Sequence, residues 1–176
     1  MCLRLILCCL LALPASALAQ QVVPAATATP RYVPATGDAW VDRHLVDINR
    51  YAARYPDAFL DEVVRYAGVP HGYAAALLQE HGWQAGDLYF ACFWGKVIGT
   101  GCREPVRAWS RDPAGGWAAV VKRLPVAPDN LHWRALRHAL VASYDHWDRP
   151  IELDALLRRQ LGDRAQRDTR AAHPPQ

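Results

Sequence analysis

The carboxylates with a position suited to chemistry are Asp61, Glu62, Glu80 and Glu104. Glycan hydrolysis needs a positioned acid or a pair of carboxylates flanking the scissile bond. Glu62 adjoins the apolar face of its segment, and Glu80 stands beside His81 and Gly82. Each also fits a plain helix-surface charge, and no spacing marks two of them as a pair. Ser110 and Ser143 are the serines beyond the N-terminal segment, and neither lies in a GxSxG elbow. His132, His138 and His146 are offset by six and eight residues, which does not stack them on one helical face, and there is no HExxH motif. His138 and Asp145 are seven apart and share a face, but it is the polar one. The expectation is therefore no catalytic set, no metal site and no cofactor.

All seven tryptophans lie beyond residue 39. Trp40, Trp117, Trp133 and Trp147 fall on or beside apolar stripes, where core packing accounts for them. Trp83, Trp94 and Trp109 are less well placed by any stripe and are the candidate binding aromatics, since planar rings stack on sugars or seat an apolar partner.

The first 21 residues, MCLRLILCCLLALPASALAQQ, hold one Arg, an apolar run from Leu5 to Leu13, a Pro14 break and Ala17-Leu18-Ala19. That is the pattern of a cleavable secretory signal, with cleavage after Ala19. The run is shorter than the roughly 20 residues that cross a bilayer core, so no transmembrane span is expected after processing. Removing it takes away Cys2, Cys8 and Cys9 and leaves Cys92 and Cys102, which have one possible pairing. Their spacing is not that of a CxxC redox pair, and a structural disulfide fits an oxidising compartment. Closing a loop of this size removes unfolded-chain entropy worth about 3 kcal/mol.

Loss of Arg4 leaves nineteen basic residues against seventeen acidic ones. Five arginines and two aspartates lie from Arg158 onward, so the surplus sits at the C-terminal end. The chain divides into a signal peptide (1–19), a Pro- and Ala-rich flexible leader (20–37), a helical domain (38–161) and a disordered basic tail (162–176).

Within 38–161 apolar residues recur at helical spacing, punctuated by Pro and Gly. Val41, Leu45, Ile48, Ala52 and Tyr55 form one stripe behind a possible Asp38 cap. Pro56 opens a second helix with Phe59, Leu60, Val63, Val64 and Ala67 inward, ended by Gly68. Pro70 begins a third, with Leu77 and Leu78 inward. The run Asp87–Ile98 is nearly all apolar and belongs in the core. Small Ala91, Cys92 and Gly95 favour a central helix there, while its aromatic and β-branched content keeps a strand as the alternative. Short helices follow near Glu104–Arg111 and Trp117–Leu124. A longer one has Trp133, Leu136, Leu140, Tyr144 and Trp147 on one face, and a last one lies near Glu152–Leu161. The fold class is all-α, a compact orthogonal bundle of about eight mostly short helices with one disulfide.

The stretch WAAVVKRLPVAPDNLHWRAL has the outline of a helix-turn-helix, but an exported chain does not meet the chromosome and no basic cluster opens its second helix. No nucleic-acid partner is expected. The residues from Asp61 through Cys92 and Cys102-Arg103 to Gly116-Trp117 and Trp133 resemble a family of uncharacterised exported all-helical proteins of Gram-negative bacteria. Relatives tend to have glycine where this chain has Pro125. The resemblance implies fold and compartment, and no functional residue is carried across. The functional expectation is a periplasmic or secreted, non-enzymatic envelope protein that binds a protein or a cell-wall glycan. The alternative is a peptidoglycan-active hydrolase using one of the helix-borne carboxylates.

Overall fold

Asp38 is extended, and its side chain accepts hydrogen bonds from the Trp40 and Val41 amides, so α1 (Ala39–Arg54) starts where a short acidic side chain can satisfy the first free N–H groups. The computed structural model describes residues 32–162 and 164. The segments expected to be a signal peptide and, up to residue 31, a leader, and all of the expected tail except 162 and 164, lie outside the described residues.

Trp40, Val41, Leu45, Ile48, Tyr51 and Ala52 of α1 are buried. Tyr55, placed by spacing on that stripe, is 47% exposed, because the helix has ended there and Pro56 turns the chain into α2 (Pro56–Ala67). α2 ends at Gly68, whose φ of 72° is the left-handed conformation a helix C-terminus favours in glycine. α3 (His71–Gln79) is short and turns Leu77 into the core.

The central run is a helix, α4 (Ala85–Val97), and every residue from Gly86 to Gly95 in it is buried. A helix apolar all round needs neighbours on every side. α4 has them in α1, α2, α3, α5 (Arg103–Arg111) and α7 (Asn130–His146). Two glycines permit that crowding. A Cβ on Gly86 would lie 2.6 Å from the Leu45 carbonyl oxygen, and one on Gly95 would lie 2.2 Å from the Gly101 oxygen. The Cys92–Cys102 disulfide joins the middle of α4 to the residue preceding α5.

α6 (Gly116–Lys122) is a two-turn helix, and α7 buries Leu136, Leu140 and Tyr144 of its apolar stripe. Trp133 and Trp147 are half-buried at its ends and pack against the core. α8 (Ala155–Gln160) starts at Asp154, whose carboxylate accepts from the Leu157 amide. Among the described residues the fold is eight helices and no strand. Arg137 of α7 ties two of the helix starts together: its guanidinium donates to Asp38 at 2.9 and 2.6 Å and also to Asp154.

The folded part begins before Asp38, the start expected from composition. Tyr32 to Gly37 run along α6, where the Trp117 amide donates to the Pro34 carbonyl (3.0 Å) and the Ala118 amide to the Ala35 carbonyl (2.8 Å). Thr36 is buried and its hydroxyl donates to Asp42 at 2.7 Å. Proline and alanine suit such an extended strap as well as they suit a loose linker, so composition alone does not separate the two.

Candidate functional site

Trp83 and Trp109, though twenty-six residues apart, come together. The α3–α4 loop turns at left-handed Gly82, and the Trp83 amide donates to the Leu77 carbonyl at 3.0 Å, which fixes the loop against the end of α3. Trp109 projects from α5 and stacks on Trp117 at 4.3 Å, with the planes 14° apart. The Trp83 and Trp109 rings lie 6.4 Å apart. Both are half-buried and line a cleft of about 570 Å³ whose wall also carries Leu77, His81, Gln84, Ser110 and Pro113.

The third candidate aromatic, Trp94, does not belong to a binding surface. It is fully buried, since it lies in the last turn of the central helix, packed between Phe90 and Trp133. It is an inner link of a run of rings from the cleft through the core: Trp83, Trp109, Trp117, Phe90, Trp94 and Trp133, with successive centroids 4.3–6.4 Å apart. Trp83 and Trp109 are the cleft end of that run, so the rest of the aromatic core holds their planes.

The cleft contains a carboxyl that sequence reasoning did not single out. Asp87 stands in the first turn of α4 and is 5% exposed. Its Oδ1 accepts the Trp117 indole N–H at 2.7 Å and the Tyr32 hydroxyl at 2.8 Å. Burial pushes the Asp87 carboxyl above the ordinary carboxylate range, and the Trp117 and Tyr32 hydrogen bonds pull it part of the way back. Burial, and then the Asp87 charge, push the Tyr32 hydroxyl well above its usual value. The one trace of this site in the sequence is an acidic residue opening an otherwise apolar run. Tyr32 left no trace, because it lies in the segment that reads as a leader.

The carboxylates expected to be candidates are scattered. Asp61 and Glu80 are exposed, and Glu104 faces Arg107 at 3.7 Å in solvent. Glu62 is 4% exposed and fully engaged. Its Oε1 accepts from the Ser143 hydroxyl at 2.6 Å, and the Nδ1 of His146 lies 3.1 Å from both oxygens. Ser143 in turn is 2.8 Å from the Tyr89 hydroxyl, and the His146 ring stacks on Tyr66 at 4.0 Å. Histidine spacing along α7 hid this pair, because the partner of His146 comes from α2. His138 meets Gln160 instead, and His132 caps its own helix with Asp129. Among the described residues no three His, Cys, Asp or Glu side chains converge as a metal site.

No family model, curated protein or solved structure matches this chain. Among the described residues no helix is long and apolar enough to cross a membrane.

Proposed function

We propose that the chain is an exported, periplasmic or secreted envelope protein that binds a cell-wall glycan in the Trp83–Trp109 cleft without turning it over. The observation that carries this reading is the meeting of two half-exposed indoles with a polar wall of Gln84, His81, Ser110 and Asp87. Aromatic faces stack on the apolar faces of sugar rings, while amide, imidazole, hydroxyl and carboxyl groups meet the hydroxyls. Export is supported by the leader pattern and by a disulfide between the two cysteines that lie beyond it.

The test is titration of the processed protein with soluble peptidoglycan fragments, read by intrinsic tryptophan fluorescence and by co-sedimentation with purified sacculi. Trp109→Ala and Trp83→Ala are expected to weaken binding about tenfold each, the cost of a buried aromatic contact. Binding unchanged in both variants would remove the cleft from the function.

One observation favours a second reading, hydrolysis of the same glycan. A carboxyl whose proton affinity is raised by burial beside tryptophan is suited to protonate a glycosidic oxygen. Asp87 is then the acid, in place of Asp61, Glu62, Glu80 or Glu104. Release of reducing ends from sacculi by the wild type, abolished in Asp87→Asn with glycan affinity retained, would select this reading over binding alone.

A further inference from the structure

On a different face, α2, α4 and α7 line an open groove, a second cavity of about 360 Å³. Its walls are Tyr66 of α2, Phe93 and Val97 of α4, and Ala135, Ala139 and Ala142 of α7. The three alanines follow one another at i, i+4 and i+7, so they share one face of α7 and leave the space that larger side chains would fill. The polar groups at this cavity are Glu62, His146 and Lys96. Glu62 is engaged by Ser143 and His146, so it does not call for a cation. Lys96 is exposed and donates to the Tyr66 carbonyl oxygen. An ammonium has three N–H donors, and among the described residues no carboxylate pairs with it.

From this we propose that the α2–α4–α7 cavity binds a single acyl chain ending in a carboxylate, with the chain on the alanine and aromatic walls and the carboxylate on Lys96. The apolar lining supplies affinity in proportion to the chain buried, and the ammonium at its edge selects the sign of the head group. The volume is at the small end for a ligand cavity, which suits one medium-length chain better than the two chains of a membrane lipid. The site shares no residue with the Trp83–Trp109 cleft.

Isothermal titration of the processed protein with decanoate, decyltrimethylammonium and decanol, below their aggregation concentrations, tests this directly. Decanoate is expected to bind one per chain and at least about fivefold more tightly than decyltrimethylammonium, the scale of a solvent-edge charge contact. Lys96→Glu, a change on an exposed side chain, is expected to reverse that preference. Ala139→Trp, which fills the cavity, is expected to abolish uptake of all three, and circular dichroism establishes that this variant is folded. Trp109→Ala is expected to leave decanoate binding intact whatever its effect on glycan. Absence of decanoate binding by the wild type overturns the proposal, as does equal affinity for the two charged amphiphiles. Undiminished binding by folded Ala139→Trp does so too, and if that variant does not fold, the charge preference and its reversal in Lys96→Glu decide.

Discussion

At the scale of single residues, Asp87 is the buried acceptor of two donors, and substitutions measure what that role contributes. Asp87→Ala leaves the Trp117 N–H and the Tyr32 hydroxyl without a partner in a buried site, at about 1–3 kcal/mol for each donor. Asp87→Asn keeps an oxygen acceptor in place. Urea unfolding at neutral pH is expected to show a large loss for the alanine variant and a much smaller one for asparagine. Because the folded carboxyl holds its proton more tightly than the unfolded one, its contribution is complete below the ordinary carboxylate value of 3.8 and is lost as the pH rises through the folded value. His44 has the opposite sign. It is buried against Trp40 and Tyr144, and burial lowers its affinity for a proton below the ordinary value of 6.5. Its contribution is present above that value and falls away as the pH drops below it, since the unfolded chain takes up a proton that the folded one resists. Unfolding midpoints of the wild type compared with His44→Gln between pH 7.5 and 5.5 check this, with a flatter pH dependence expected in the variant.

At the scale of elements, two devices hold short helices that have little stability alone. Arg137 reaches from α7 to the capping carboxylates of both α1 and α8, so one side chain fixes two helix starts. Arg137→Met is expected to cost about 1–3 kcal/mol, as for loss of charge-assisted hydrogen bonds, with hydrogen exchange rising first in α8. The Cys92–Cys102 bridge fixes α5 on α4, and α5 carries Trp109. Replacing both cysteines by alanine is expected to lower stability by about 3 kcal/mol. It is also expected to weaken the Trp83–Trp109 contact more than the α1–α4 contact, which has Gly86 and the Asn49 side chain bonded to its amide to hold it. Tryptophan near-ultraviolet dichroism measures the first, and amide exchange of α1 the second.

At the scale of the whole molecule, the order and bounds of the helices were legible because caps, prolines, glycines and apolar period act within a few residues of one another. Asp38, Pro56, Gly68 and the α7 stripe all sit where those local rules put them. The disulfide was legible for a different reason, since the expected cleavage after Ala19 leaves two cysteines and so one pairing. The sites were not legible in the same way. Asp87 gains its character from Tyr32 and Trp117, fifty-five and thirty residues away, and Glu62 meets a histidine eighty-four residues on. Trp94 and Trp109 differ in fate only because one lies inside a helix surrounded on all sides and the other at the end of a helix beside a cleft. The chain by itself determined its helices and its bridge, because those depend on neighbours in sequence or on elimination. Which carboxyl is buried, which indole is reachable and where Tyr32 lies were decided by the packing of α4 among its neighbours, because burial and proton affinity depend on what distant segments bring to the same few ångströms.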